Sequence, residues 1–364
     1  MKNILILTLF GDTNYGQVLQ NYALQTAIQD LGLQVETLNM PRPSSFYTRL
    51  WGKRPESIGE RIKKIARYIL FYRRMLARVD AFRHFRGAYL SLTKEMTQQE
   101  LPPLNGKYDV FIVGSDQVWN TAFIKDDKLD AYTLQFVHSG KRAAYAASAG
   151  SSRNITPALV ERISAFDYIS VREHSLKERL EQSGLTNIHD VCDPVFLLER
   201  ERWEQMLPIA DPHEKPYVFA YFLFSKKAGQ DMIQLSKAIA AERGLKICHV
   251  DRRQAGICRY EIGPIEWISH IAHAEVTALY SFHGLAFSII FEKEFFVIHR
   301  ADMEDRTRDL LAALGLSDRG FDSYEDYCAR KAFIQPIDWR AVREKLAVIR
   351  ENSRNALRDI CNLS

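Results

Sequence analysis

The chain has 364 residues, 46% hydrophobic and 26% charged, with 49 Lys and Arg against 45 Asp and Glu. That length passes the ~250–300 residues at which a single core stops growing, so two domains are expected. The ordinary composition excludes disordered and fibrous classes, and a net charge of +4 gives nucleic-acid binding no support.

Five scattered cysteines (Cys192, Cys248, Cys258, Cys328, Cys361) contain no C-x-x-C pair. Their odd number and spacing argue against a disulfide framework or a thiolate zinc site, and for a reducing compartment. In chain order, Ile4 to Phe10 predicts a buried first strand. Lys2 is the only charged residue before the apolar run that starts at Ile4, and Gly11-Asp12 come directly after that run. The run is too short to span a membrane and lacks a signal-peptide cleavage pattern, so a cytoplasmic protein is expected. Val18, Leu19, Tyr22, Ala23 and Ile28 keep a helical period up to Gly32, and Leu33 to Leu38 add a strand, completing a βαβ unit. Asn14-Tyr15-Gly16, at the head of that helix, fits a turn with a helix cap or a loop whose amides hold an anion. With no G-x-G-x-x-G present, a dinucleotide reading has no support.

Ile58, Ile62, Ile65, Ile69, Tyr72, Leu76, Val79 and Phe82 recur at spacings of four and three, predicting a long helix with one apolar face. Arg61, Lys63, Lys64, Arg67, Arg73, Arg74, Arg78 and Arg83 occupy its other faces. Residues 58–86 therefore suit a solvated basic face, or a peripheral membrane contact worth about 1 kcal/mol per basic residue on anionic lipid. No nucleic-acid module accompanies them, and no nucleic-acid partner is expected.

The stretch Tyr108 to Asn120 reads YDVFIVGSDQVWN. Val110 to Val113 is a buried strand ended by Gly114, and Ser115, Asp116 and Gln117 leave its carboxyl end, where ligands of open α/β sheets collect. Ser115 and Asp116 also suit a plain turn cap. Arg142 to Ala147 predicts another strand, and Ser148-Ala149-Gly150 after it leaves room for close approach. A strand from Tyr168 meets a helix, Ser175 to Gln182, and Arg172 stands at the junction. Its guanidinium fits a carboxylate or phosphate, or an ion pair with Glu173. Cys192-Asp193-Pro194 then leads out of the first domain.

Ala210 to Pro216, with two prolines and mixed charge, reads as the linker between domains. Strands at Tyr217–Phe224, Leu245–Val250, Val276–Tyr280 and Glu294–Ile298 alternate with helices at Lys226–Arg243, Pro264–Ala274, Gly284–Phe291 and Arg308–Leu314. The expected fold is α/β: two Rossmann-like domains facing a cleft, over 1–210 and 211–337, then a C-terminal helix within 338–364 that returns to the first domain. Ser281-Phe282-His283-Gly284 follows a strand and opens a helix. Amides there suit an anion, and His283 suits proton transfer. Arg306 is a further basic candidate. His270 and His273 lack a third ligand, so no metal is expected, and no G-x-S-x-G elbow is present.

N-Y-G followed by x-x-L-Q, GSDQVWN, Y-A-A-S-A-G, S-V-R-E, D-P-V, S-F-H-G and D-R…LGLSDR occur in this order across nearly the whole chain. Together they resemble the polysaccharide pyruvyl transferase family. That resemblance implies a GT-B-like pair of Rossmann-like domains, with no cofactor and phosphoenolpyruvate as co-substrate. The expected reaction places a pyruvate ketal across two hydroxyls of a sugar in a capsular, exopolysaccharide or cell-wall glycan precursor and releases phosphate. A lipid-linked acceptor at the inner face of the membrane would suit the basic helix. By the same resemblance, Arg172 matches an arginine that binds phosphoenolpyruvate and His283 the histidine of the S-F-H-G phrase. His283 and Asp116 are the expected catalytic residues. Arg172, Gly284, Ser281, Ser115, Gln117, Asn14, Tyr15, Gly16, Ser148 and Arg306 are the expected substrate contacts. Several members carry an arginine where this chain has Ser281, and Arg306 is the candidate to replace that cation. A nucleotide-sugar glycosyltransferase of the same architecture, or a non-catalytic glycan-assembly partner, are the alternatives. The E-x7-E pattern of many retaining GT-B enzymes is absent from Gly256 to Leu316.

Overall fold

The computed structural model describes residues 2–9, 13–40, 58–124, 126–208, 215–221, 226–250, 256–299 and 304–362, without the side chains of 58, 60–71, 126–127, 226–228 and 304–305. Strands β1 (Asn3–Leu7), β2 (Gln34–Thr37), β3 (Val110–Val113), β4 (Lys141–Ala147), β5 (Tyr168–Val171) and β6 (Ile188–Asp190) form one sheet. A second comprises β7 (Tyr217–Tyr221), β8 (Lys246–His249), β9 (Ile257–Cys258), β10 (Val276–Leu279), β11 (Glu294–Ile298) and β12 (Gly320–Phe321). Both are wholly parallel, in the orders β2-β1-β3-β4-β5-β6 and β12-β11-β10-β7-β8-β9. Parallel sheets need cover on both faces, which is why the strands read as unbroken apolar runs such as Val110-Phe111-Ile112-Val113, all buried.

Strand order reverses between β1 and β3 in the first sheet and between β7 and β10 in the second, and ligands of such sheets bind at these reversals. Ser115 and Asp116 follow β3, and Ser281 to Gly284 follow β10, so both sequence-predicted centres stand at a reversal. Three strands were not expected, β6, β9 and β12. They have three, two and two residues, too few to show an alternation. The same holds for the short helices Asp126–Tyr132, Pro157–Ile163, Arg200–Glu204 and Tyr324–Arg330. The end of the first expected strand and most of the proline-rich linker lie outside the described residues.

The long helix runs from Ile58 to Tyr89, but its inward face is rotated from the expected stripe. Met75, Arg78, Phe82 and Phe85 are buried, while Tyr72 is exposed. Arg78, expected on a polar face, is an internal strut. Its guanidinium sits 4.7 Å from the Tyr15 ring centroid and donates to Thr13 O (3.1 Å) and Tyr260 O (3.2 Å). Arg74 pairs with Glu261 at 2.5 Å and donates to Cys258 O at 2.8 Å. Two arginines of the helix thus hold the second sheet's loops against the first. Arg73 and Arg83 remain exposed.

A shared aromatic core closes the interface. Tyr15, at the start of the helix Tyr15–Asp30, stacks on Trp267 with centroids 5.0 Å apart and meets Tyr221 edge-on at 5.8 Å. Trp203 meets Phe287 edge-on at 4.9 Å. The final helix, Trp339–Ile360, straps both halves. Its Arg343 pairs with Glu292 at 2.6 Å, and Ser353 Oγ accepts from Cys192 N at 2.8 Å. Lys2 and Lys141 reach the helix end, donating to Cys361 O (3.0 Å) and Asp359 O (2.7 Å). The expected return to the first domain is therefore observed. None of the five cysteines forms a disulfide.

Candidate functional site

The reversal in the first sheet is braced from within. Gln20, on the helix Tyr15–Asp30, donates to Thr8 Oγ1 (2.9 Å) and accepts from Ser115 N (3.2 Å), while Thr8 Oγ1 donates to Ser115 O (2.9 Å). This gives the N-Y-G-x-x-L-Q phrase a physical basis: its Gln fixes the start of the GSDQ turn. Asp116 adopts φ 69°, a left-handed conformation rare outside glycine, and its carbonyl accepts from Ser148 N at 3.0 Å. Asp116 and Ser148, predicted from separate strand ends, are thereby joined.

Beside them, three strand ends deliver charge. Arg172, just after β5, donates from Nη1 to Asp193 Oδ2 at 2.6 Å and from Nε to Glu173 Oε1 at 3.2 Å. Its side chain is 2% exposed, Asp193's 0%. Asp193 also accepts from Ser115 Oγ (3.3 Å) and, through Oδ1, from Val195 N (3.1 Å). From the second sheet, His283 Nε2 comes within 3.3 Å of Asp193 Oδ2. His283 Nδ1 rests on the start of the helix Tyr15–Asp30: a Cβ at Gly16 would lie 2.0 Å from it. Arg306, on the helix Glu304–Leu314, lies 3.9 Å from Asp116 Oδ1. With its amide oxygen turned to that guanidinium, Gln117 accepts from Nη1 and Nη2 at 3.3 and 3.2 Å. The guanidinium carbons of Arg172 and Arg306 stand 4.3 and 5.9 Å from the Phe282 ring centroid.

Burial separates a floor from a rim. Ser115, Ser148, Asp193 and Glu173 form the floor, at 0, 0, 1 and 2% exposure. Asp116 (5%), His283 (7%), Gln117 and Arg306 (8% each) keep the remaining exposure and mark the side of approach. Burial alone would raise the Asp193 carboxyl, but His283 and Arg172 overcome it and hold the group well below the usual carboxylate range. Burial also works against the Arg172 charge, and Glu173, Asp193 and Asp116 reverse that effect. Glu173 goes the other way: burial raises its carboxyl despite Arg172. Arg172 Nη2 and Glu173 Oε2 are buried with no hydrogen-bond partner among the described residues. A nearly dry site with two guanidinium groups and a buried donor to spare suits a small ligand carrying carboxylate or phosphate.

Some expected contacts go elsewhere. Tyr15 belongs to the interface core, fully buried with its hydroxyl donating to Ile262 O at 3.0 Å. Asn14 caps its helix, accepting from Gln17 N at 3.4 Å. Ser281 caps the helix Phe282–Ile290 by accepting from Gly284 N at 3.4 Å, so that amide already has a partner. A Cβ on Gly284 would lie 3.0 Å from Leu279 Cδ2, which makes it a packing glycine. Ser115 Oγ is committed to Ala146 O (3.0 Å) and Asp193. His270 stacks on Phe219 at 5.7 Å, and burial lowers its pKa to about 4. Asp193 and Glu173 were not among the expected site residues. The D-P-V phrase carried the first, and the second stood in plain view as the partner of Arg172. Cavities of about 360 Å³ beside Met40 and Tyr132, and about 600 Å³ beside Arg319 and Trp339, lie away from this cluster.

Among solved structures, UDP-N-acetylglucosamine 2-epimerase from Rickettsia bellii superposes with TM-score 0.57 at 9% identity, over 100% of this chain and 97% of that one. S. aureus MnaA in its co-structure with UDP gives 0.55 at 12%, over 100% and 98%. The UDP-GlcNAc 2-epimerase of Methanocaldococcus jannaschii gives 0.50 at 12%, over 96% and 99%. Identities this low establish a shared GT-B fold of two Rossmann-like domains and nothing further. No curated protein matches the sequence. The family model for polysaccharide pyruvyl transferase matches residues 14–301, a span containing GSDQVWN, Arg172, Asp193 and His283. The chain belongs to the polysaccharide pyruvyl transferase family.

Proposed function

We propose that this protein transfers the pyruvyl group of phosphoenolpyruvate to two hydroxyls of a sugar in an envelope or exopolysaccharide glycan precursor, forming a ketal and releasing phosphate. The observation that carries the reading is the meeting of Arg172 and Arg306 at Phe282, beside His283. Two cations from opposite halves of the molecule approach one ring, as the binding of a small polyanion requires. Arg306 supplies the cation that Ser281 lacks. In this reading Arg172 Nη2 and Arg306 hold the donor's carboxylate and phosphate, and Asp116 orients the acceptor hydroxyl. The vinyl methylene of the donor takes a proton, and the first hydroxyl oxygen bonds the central carbon and sheds its own. Phosphate leaves with the C–O bonding pair, and the second hydroxyl closes the ring. His283 moves protons at the hydroxyls and the leaving phosphate, a role typically worth ~10²–10⁴-fold.

An acceptor on a lipid carrier would bring the protein to a membrane surface. Arg73 and Arg83 are exposed for such a contact, whereas Arg74 and Arg78 are spent on the interface. No helix among the described residues is long and apolar enough to cross a membrane.

The test is thermal stability of wild type, Arg172→Ala and His283→Ala with phosphoenolpyruvate and with nucleotide sugars, followed by phosphate release over a panel of sugar acceptors. Ligand at 100 times its Kd adds about 2.7 kcal/mol. The expected result is stabilisation of wild type by phosphoenolpyruvate and its loss in Arg172→Ala. Stabilisation by a nucleotide sugar alone would overturn the reading in favour of glycosyl transfer.

A further inference from the structure

The charges of the cluster do not suit a trianionic donor as they stand. Asp116, Glu173 and Asp193 bring three carboxyl groups against the two guanidinium groups of Arg172 and Arg306, with His283 beside them. Driving a phosphate and a carboxylate into a nearly dry site of this kind is costly unless a proton enters as well.

The structure distinguishes which carboxyl would take it. Asp193 is better provided for, with Arg172 Nη1 at 2.6 Å and Val195 N at 3.1 Å on its two oxygens, and a share of the Ser115 hydroxyl that also bonds Ala146 O. Asp116 lies at the rim, where exposure is 5%. Glu173 is buried and poorly served. Oε1 takes Arg172 Nε at 3.2 Å, and Oε2 has no hydrogen-bond partner among the described residues. Arg172 is shared, because its shorter bond goes to Asp193. Where two carboxyls occupy one site, the one with fewer donors keeps the proton.

A second observation shows that its own helix does not use this carboxyl. Glu173 is the N-cap residue of the helix His174–Gln182, yet its side chain makes no cap bond. Asp309, from the second half of the molecule, performs the capping, accepting from Ser175 N (3.1 Å) and Ser175 Oγ (2.9 Å). Asp309 thereby frees Glu173 to face Arg172, Ser148 and Arg306. The remaining charged groups of the cluster reach it through Arg172 and Arg306: Asp193 on Arg172 Nη1, His283 beside Asp193, and Asp116 beside Arg306. Burial holds the Glu173 carboxyl above its ordinary range, in agreement with this geometry.

We propose that Glu173 is the acid of the reaction: phosphoenolpyruvate binds together with one proton carried on the Glu173 carboxyl, and that proton goes to the donor's methylene carbon. The inference rests on the reading that phosphoenolpyruvate is the donor. In the step, the Glu173 O–H bond breaks and leaves its electron pair on the carboxylate. The C=C π pair forms the new C–H bond, and the central carbon becomes the electrophile. The acceptor hydroxyl oxygen bonds to it and gives its proton back to the cluster, which restores the acid. Arg172, already paired with Glu173, steadies the carboxylate in between.

The experiment is calorimetric titration of phosphoenolpyruvate into wild type, Glu173→Gln and Glu173→Asp, in buffers of different ionisation enthalpy, between about pH 6 and about pH 9. Wild type should take up close to one proton per donor bound, with Kd rising up to ~10-fold per pH unit on the alkaline side. Glu173→Gln, which carries a neutral amide of the same shape, should bind without that uptake and with a flatter pH profile. The donor phosphate's own titration is common to both proteins and cancels in the comparison. On any sugar of the acceptor panel that wild type turns over, Glu173→Gln should lose ~10²–10⁴-fold in kcat with little change in KM. Glu173→Asp, which keeps an acid, should retain uptake and recover part of the rate. If Glu173→Gln still took up the proton, or turned over near the wild-type rate, the proposal would be wrong while the donor assignment stood. A wild type that bound no phosphoenolpyruvate would sink both.

Discussion

At the scale of single residues, the site works through unequal provision of donors to two buried carboxyls. Asp193 is held ionised by His283 and Arg172 against the effect of burial. Its folded pKa is depressed, so its stabilisation is present above the ordinary aspartate value of ~3.9 and is lost as pH falls through the folded one. Asp193→Asn should therefore cost about 3 kcal/mol at neutral pH, since it leaves Arg172 with Glu173 alone, and should flatten the acid limb of a stability–pH curve measured in urea. Glu173 has the opposite sign. Its folded pKa is raised, so the fold loses stability as pH climbs from the unfolded value, ~4.3, toward the folded one. Glu173→Gln should melt at a higher temperature than wild type at alkaline pH, and the difference should vanish in acid. Equal melting curves across that range would show that Glu173 is ionised throughout.

At the scale of elements, the two halves meet through backbone and arginine as well as apolar packing. Gly16 lets the His283 ring lie on the helix start, where a Cβ would stand 2.0 Å from Nδ1. Gly16→Ala should cost ~1–3 kcal/mol as overpacking and should reduce turnover by displacing His283. Gly87, in the helix Ile58–Tyr89, has no atom within 4 Å of such a Cβ. Gly87→Ala is the matched control, with an expected gain of ~0.5–1 kcal/mol from helix propensity and no effect on activity. Arg78 tests the strut. Arg78→Met keeps most of the apolar stem but strips Thr13 O and Tyr260 O of their donor and removes the cation from the Tyr15 ring. A loss of about 2 kcal/mol or more is expected in chemical denaturation.

At the scale of the whole molecule, the final helix makes one cooperative unit of two sheets. Its first turns bury Val342 and Leu346, and its last turns bury Leu357 and Ile360 while Lys2 and Lys141 close its carboxyl end. Wild type should unfold in a single calorimetric transition. Truncation after residue 338 removes that strap and should split the transition in two, with the lower one assigned to the first sheet, which loses the partner of Cys192 N. A truncated chain that still unfolded in one step would show that the aromatic core around Tyr15 and Trp267 couples the halves by itself.

The amino-acid sequence by itself determined the alternation of strands and helices, the strand-end loops, and family membership. These depend on local apolar runs, on glycines, and on short phrases that keep their order along the chain. It also brought Arg172, Asp116 and His283 forward, because polar residues at the carboxyl ends of buried strands have few structural uses. Tyr15 could not be read the same way. Its place in a strand-end phrase gave no sign that Trp267 and Tyr221, more than 200 residues away, would enclose it. The rotated inner face of the long helix was hidden for the same reason: an arginine counts as polar until carbonyls from another element satisfy it, as Thr13 O and Tyr260 O do for Arg78. Only the tertiary structure decided that Asp193 would bind Arg172 from its own sheet and meet His283 from the other, leaving Glu173 short of donors. Which carboxyl stays charged depends on burial and on partners brought together from distant positions, and those are properties of the packed molecule.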